Sequence, residues 1–349
     1  MTSGPSTSSS PTTSHNMPLA PALRQQINAG FDSFLKKPPT PRISILYQTK
    51  PAWPGAAKGH RPPQIAVIDS SFNPPHLAHL ALASSPAILA SPSPSHSSPD
   101  SVDQYDAHLL LLSSRNADKG MGRPGDASPK QRLEMMTVLA RDLEDLLRAR
   151  GAGEEQVNVA VGVCEEPLMK DKSSLVHEWL KAYRQERGRS NEEGAANALP
   201  SSSTSSAPLA RLHWVVGWDT LIRFFALKYY PSPSAFDEAC HRFFEEEGTT
   251  FVCARRGNPS KEELQEEKDF LESDLVRPWV EKMGVAMFEL PEEVRHVNST
   301  DARAILTGKG GAEGQQAGEG VKEALVERDG LLSRQMADFV VEEGIYTRE

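Results

Sequence analysis

The chain has 349 residues, room for two average domains or for one larger domain with insertions, yet only 38% of it is apolar and 27 residues are proline. A formal charge of −9 argues against sequence-independent binding along a nucleic-acid backbone. No apolar run approaches the ~18 residues that span a bilayer. Neither nucleic acid nor membrane is therefore an expected partner.

The Ser/Thr/Pro-rich segment 1–18 reads as a disordered tail. It holds no apolar stretch of the kind a signal peptide carries, and its composition does not suit a transit peptide. Three cysteines, Cys164, Cys240 and Cys253, are an odd count without metal-ligand spacing and read as reduced thiols. A cytoplasmic or nuclear location, or both, is expected.

Residues 19–349 read as one domain, with the motif-bearing core at 64–306. Leu19, Leu23, Ile27, Phe31, Phe34 and Leu35 fall at helical spacing, and the helix they predict stops before Pro38 and Pro39. A β-rich hexamer, Ile43–Gln48, follows. The chain then alternates. Strands are predicted at Gln64–Asp69, Ala107–Leu112, Gln156–Val163, Leu212–Val216, Thr249–Ala254 and Val285–Leu290. Helices are predicted at His76–Ala90, Pro129–Arg150, Leu175–Arg187, Trp218–Lys228, Ser234–Glu247, Thr300–Leu306 and Leu331–Glu342. Residues 91–100, 190–207 and 309–319 are Ser/Pro-, polar- or Gly-rich and read as disordered insertions. Alternating strands and helices predict an α/β fold with a parallel sheet covered on both faces. Its ligands should sit beyond the carboxyl ends of the strands, where the strand order reverses.

The first candidate site lies at such an end. Gln64–Asp69 runs into Ser70, Ser71, Phe72, Asn73, Pro74, Pro75, His76, Leu77, Ala78 and His79. Asparagine and two prolines force a turn. His76 and His79 are expected one turn apart on one helix face, at a helix start that offers unpaired N–H groups to phosphate. In Asn298, Ser299, Thr300, Asp301, Ala302 and Arg303, a loop enters a helix with Ser299 or Thr300 as the expected N-cap, and Arg303 stands one turn in. In Gly217, Trp218 and Asp219, a glycine permits a strand-end turn, Trp218 could stack on a base, and Asp219 could take ribose hydroxyls or a metal–water shell. The bland alternatives are a core Trp218 and an Asp219 that caps its helix.

Ser71 to His79 resembles the HxGH signature of the nucleotidylyltransferases, and its Phe-Asn-Pro form is similar to that of the nicotinamide-nucleotide adenylyltransferases, in wording closest to their fungal branch. Ser70–Ser71 stands where that family usually has Gly-Gly or Gly-Ser, and Ala78 replaces its glycine. Asn298–Arg303 resembles the family's ISSTxxR motif, and Phe251–Asn258 its strand ending in TRxG.

The resemblance implies a Rossmann-like doubly wound sheet with N- and C-terminal helical extensions, and transfer of AMP from ATP to a mononucleotide. It assigns His76, His79 and Arg303 to catalysis. Ser71, Phe72, Lys119, Ser299, Thr300 and Arg255 fall to ATP and its phosphates. Asn73, Gly217, Trp218, Asp219 and Glu165 fall to the acceptor and ribose. Mg²⁺ is expected to arrive with ATP, and no protein side chain is assigned to it. Without a Ser/His/Asp arrangement or a reactive cysteine, the residues suit direct in-line attack by the acceptor phosphate. Nicotinamide mononucleotide is the expected acceptor. Nicotinate mononucleotide, another phosphate, or a nucleotide-binding role in regulation or protein interaction are the alternatives, and oligomeric state is left open.

Overall fold

The computed structural model describes residues 19–55, 62–85, 105–115, 125–154, 157–192, 210–255, 257, 259–282, 284–308 and 318–346. In chain order the elements are α1 (Pro21–Lys36), β1 (Ile43–Gln48), β2 (Gln64–Asp69), α2 (Leu77–Ala83), β3 (Ala107–Ser113), α3 (Pro129–Ala149), β4 (Val159–Cys164) and α4 (Met169–Glu192). Then come β5 (Arg211–Gly217), α5 (Trp218–Phe225), α6 (Pro233–His241), β6 (Thr250–Arg255), α7 (Lys261–Glu272) and α8 (Arg277–Glu281). The rest is β7 (Val285–Glu289), α9 (Ser299–Leu306), α10 (Glu319–Glu323) and α11 (Arg334–Glu342).

The strands form one sheet in the order β1-β4-β3-β2-β5-β6-β7. Strands β2 to β7 are parallel throughout, and their spatial order, counted from β2 as the first, is 3-2-1-4-5-6. That is the doubly wound, Rossmann-like arrangement, and its order reverses between β2 and β5. Apolar side chains alternate along β2: Ala66 and Ile68 face one core, while Ile65 and Val67 face the other. The first core is closed by α1, α2, α3, α9 and α11, the second by α4, α5 and α6. The hexamer β1 joins antiparallel at the β4 edge. Gly162 admits that contact, since a Cβ there would lie 3.1 Å from Ile45 Cδ1.

Several boundaries differ from expectation. β4 starts at Val159, three residues late, and α4 runs from Met169 to Glu192, so residues 190–192 belong to a helix. α10 likewise begins inside the expected 309–319 break. Residues 1–18, 91–100, 193–207 and 309–317 lie outside the described residues. Helix α7 was not expected, because its face toward the core carries few apolar residues among many acids. The signal for it was the capping box, in which Ser260 Oγ accepts from Glu263 N and the Glu263 carboxylate accepts from Ser260 N.

The fold buries several ionisable groups. Lys172, 5% exposed at the start of α4, donates to Asp69 Oδ2 at 2.5 Å at the end of β2. Burial holds His108 and His177 down to about 4 and pushes Asp142 up to about 7, although the Ser333 hydroxyl that donates to it works the other way.

Two predictions follow from these groups. Asp69→Ala strands the Lys172 ammonium in the interior and should cost about 3–5 kcal/mol in urea unfolding, most of it recovered by adding Lys172→Met. Asp142, neutral in the fold, lends stability at low pH that is lost as pH climbs from the unfolded carboxylate range through about 7. Asp142→Asn should therefore gain on the wild type by up to about 1.4 kcal/mol per pH unit between pH 5 and 7, and no further above that. The two histidines have the opposite sign but are common to both proteins and cancel. Equal pH dependence of the two proteins would contradict the burial of an uncharged Asp142.

Candidate active site

The turn after β2 stands at the reversal of strand order. Phe72 adopts φ +46°, a left-handed conformation that costs a side-chain-bearing residue roughly 1–2 kcal/mol. Its ring is fully buried, which is worth roughly 1.5–3 kcal/mol and offsets that cost. The ring lies 5.1 Å from that of His79.

His76 is the N-cap of α2, with extended backbone, and not a first-turn residue as expected. The two histidines therefore do not share a helix face. They meet as neighbouring rings, centroids 3.8 Å apart and tilted by 36°, both buried. The backbone N–H of His76 donates to His79 Nδ1 at 3.2 Å, and His79 Nε2 lies 2.8 Å from Ser70 Oγ. An Nδ1 that accepts leaves the proton of a neutral imidazole on Nε2, facing the Ser70 hydroxyl. Ser70 thus supplies a side-chain partner that a glycine at this position could not.

Three side chains from two helices, α3 and α9, grip the turn by its carbonyls. Arg303 Nη1 donates to Asn73 O, Ser299 Oγ to Pro74 O at 2.9 Å, and Arg132 Nη1 to Ser71 O at 3.5 Å. Arg303 Nη2 reaches Thr300 Oγ1 at 3.4 Å. The N-cap of α9 is Asn298, whose Oδ1 accepts from Thr300 N and Asp301 N, both at 3.0 Å. Neither Ser299 nor Thr300 caps, because the hydroxyl of Ser299 is spent on Pro74. Asn73 points inward: Oδ1 accepts from Ala127 N at 3.0 Å and Tyr346 Oη at 2.8 Å, while Nδ2 donates to Asp126 Oδ1 at 2.5 Å. Its amide is committed to the protein, where a ribose contact was expected.

Gly217 is the N-cap of α5, on the strand beside β2. Trp218 is half-buried and meets Phe270 edge-on at 5.2 Å, and Asp219 is exposed in the first turn. Other expected residues carry protein partners. Arg255 pairs with Glu267 through three N–H···O contacts of 2.6–2.9 Å. Glu165 lies between Arg42 and Arg115, the latter at 2.7 Å, just past the end of β4 and two strands from the histidines. Ser71 is exposed beside the histidine pair. Lys119 lies outside the described residues. The folded turn thus unites His76, His79, Phe72, Asn73, Ser299, Thr300 and Arg303, brings the Gly217–Asp219 start of α5 alongside, and leaves Glu165 apart.

Asp69, Asp126 and Tyr346 were missed in the sequence. Only Asp69 had a signal, a charge at the end of the buried run Gln64–Ile68. A shallow crevice between His76, Leu80, Leu139, Asp142 and Met336 encloses no room even for a water molecule, so it is not a nucleotide seat. Among the described residues no cluster of three or more His, Cys, Asp or Glu could hold a metal ion, and no helix is long and apolar enough to cross a membrane.

No protein-family model matches the sequence. A Schizosaccharomyces pombe protein named, provisionally, a nicotinamide mononucleotide adenylyltransferase is 28% identical over 252 residues, covering 70% of this chain and 76% of its own. Among solved structures, Plasmodium falciparum nicotinic acid mononucleotide adenylyltransferase complexed with APC aligns over 81% of this chain and 97% of that chain, at 12% identity and a TM-score of 0.37, too slight a likeness to bear on the site. The sequence likeness to the Schizosaccharomyces pombe protein, which runs over most of both chains, agrees with the motif resemblance at the strand-end turn and at α9.

Proposed function

We propose that this chain moves the adenylyl group of ATP onto nicotinamide mononucleotide, forming NAD and releasing pyrophosphate. The observation that carries the reading is the braced turn: a paired His76 and His79 at the switch point of the sheet, with Arg303 beside them. An oxygen of the acceptor phosphate attacks the α-phosphorus of ATP, and the bond to the bridging oxygen breaks in line with it. Little covalent work falls to the protein, so catalysis is positioning and charge stabilisation.

In this reading His79 turns its Nε2–H from the Ser70 hydroxyl to the α-phosphate as charge develops, and His76 stands against the same group. Arg303 keeps one amine on Asn73 O, and its planar fork has further N–H donors for the β- and γ-phosphates. Mg²⁺, riding on the ATP phosphates, would neutralise the leaving pyrophosphate. The exposed Asp219 is an oxygen donor of the kind that ion's water shell takes. Trp218 and Gly217 would border the base and ribose. The compartment proposed is the cytoplasm or the nucleus.

A second reading, a nucleotide-binding homologue that regulates or binds other proteins, is favoured by one observation. Arg255 and Glu165, both expected to contact substrate, are closed into ion pairs. Titration with an ATP analogue, followed by pyrophosphate release with nicotinamide and nicotinate mononucleotides, separates the two. Binding without release on either acceptor would replace the transferase by this second reading. For an active enzyme, His79→Ala should lower kcat roughly 10²–10³-fold and leave ATP affinity within a few-fold. Arg303→Ala should weaken ATP binding as well. Circular dichroism must show both variants folded. Wild-type turnover by His79→Ala would remove that histidine from the chemistry.

A further inference from the structure

Among the described residues two that are not glycine have positive φ, Phe72 at +46° and Tyr346 at +75°. They are far apart in the chain, yet both meet Asn73. Phe72 precedes it, and the hydroxyl of Tyr346 donates to its Oδ1 at 2.8 Å. Glycine would occupy the backbone at 346 without strain, as Gly344 does at φ +59°. A tyrosine held there needs a reason in its side chain, and strained residues that converge on one point often mark function. The platform under Tyr346 is firm. Arg24 grips Glu343 through two hydrogen bonds of 2.6 and 3.0 Å, and Ile345 is buried and returns its N–H to Val340 O at 3.0 Å. Burial raises the phenol above its ordinary range, more than the nearby Arg132 and Arg303 lower it, so the hydroxyl stays a donor.

We infer that Tyr346 is a positioning residue for the histidine-bearing turn: its hydroxyl orients the Asn73 amide, and so presents to Arg303 the carbonyl of the same residue. The Asn73 amide accepts from two donors and gives one N–H to Asp126, so its orientation is set by three partners, of which Tyr346 is the one from the distant segment 343–346. Asp126 in turn lies 3.4 Å from Arg132, which reaches the carbonyl of Ser71. Tyr346 therefore touches the point where both arginine contacts to the turn are referenced. It meets no reacting atom, and its effect is on where Arg303, Phe72 and the histidines stand.

As a statement about catalysis the inference rests on the transferase reading, so the test separates the two. Tyr346→Phe in the full chain keeps the ring and removes the hydroxyl. Lys322→Met is the control, since it breaks contacts to Asp338 and Glu342 at 2.9 and 3.1 Å within the same C-terminal packing and reaches nothing in the turn. Pyrophosphate release should show kcat about tenfold lower for Tyr346→Phe, KM for ATP and acceptor within twofold, and kcat unchanged for Lys322→Met. Amide hydrogen exchange of residues 70–79, read without substrate, should be several-fold faster in Tyr346→Phe alone. Unchanged kcat in Tyr346→Phe, or equal losses in both variants, would overturn the inference. If the wild type releases no pyrophosphate, the transferase reading fails by itself and exchange decides: faster exchange in Tyr346→Phe alone upholds the positioning of the turn, and unchanged exchange overturns it.

Discussion

The turn from Ser70 to His76 has a backbone that cannot satisfy itself. A left-handed Phe72 and two prolines rule out regular structure, so the carbonyls of Ser71, Asn73 and Pro74 look outward for donors. Each finds one from a helix distant in sequence: Arg132 on α3, and Ser299 and Arg303 on α9. The positions of α2, of the histidine pair and of α9 all follow from this set of bonds. A further backbone bond, Leu77 N to Leu331 O at 3.0 Å, ties the start of α2 to the C-terminal segment as well.

The doubly wound topology explains why such a turn can exist at the centre of the sheet. Between β2 and β5 the chain leaves the two strands for opposite faces, so no crossover helix covers the crevice between their ends. The two loops that border it are the histidine turn and the Gly217–Asp219 start of α5. Although the chain carries net negative charge, two arginines, Arg132 and Arg303, bond to the turn itself.

A common theme is that charges near the strand ends are already paired. Asp69 holds Lys172, Glu267 holds Arg255, and Glu165 is shared by two arginines. Arg303 differs in that it bonds to neutral carbonyl and hydroxyl oxygens. A guanidinium held by neutral acceptors keeps its full charge for an incoming phosphate, whereas one paired with a carboxylate must exchange partners first. In that respect Arg303 differs from Arg255, which Glu267 holds in an ion pair.

Local chemistry in the chain determined much. The apolar runs of β2, β3 and β5, the turn residues Asn73 to Pro75 and the helix starts at Pro129 and near Thr300 are short-range signals that need only neighbours, and from them the parallel sheet and the histidine site were legible. Helix α7 and the Asn298 cap were also local, but were masked by the acidic composition of one and by the hydroxyls beside the other. What the tertiary structure decided is everything that joins distant segments. It ordered the strands, laid β1 antiparallel on β4, moved His76 off the helix face, turned Asn73 inward, and brought Arg303 and Tyr346 to that asparagine across 230 and 273 residues of sequence. No spacing or periodicity encodes such contacts. A hydrogen bond between segments so far apart forms only because packing of the two cores brings them together, and a residue's type reveals that it can donate, not to whom.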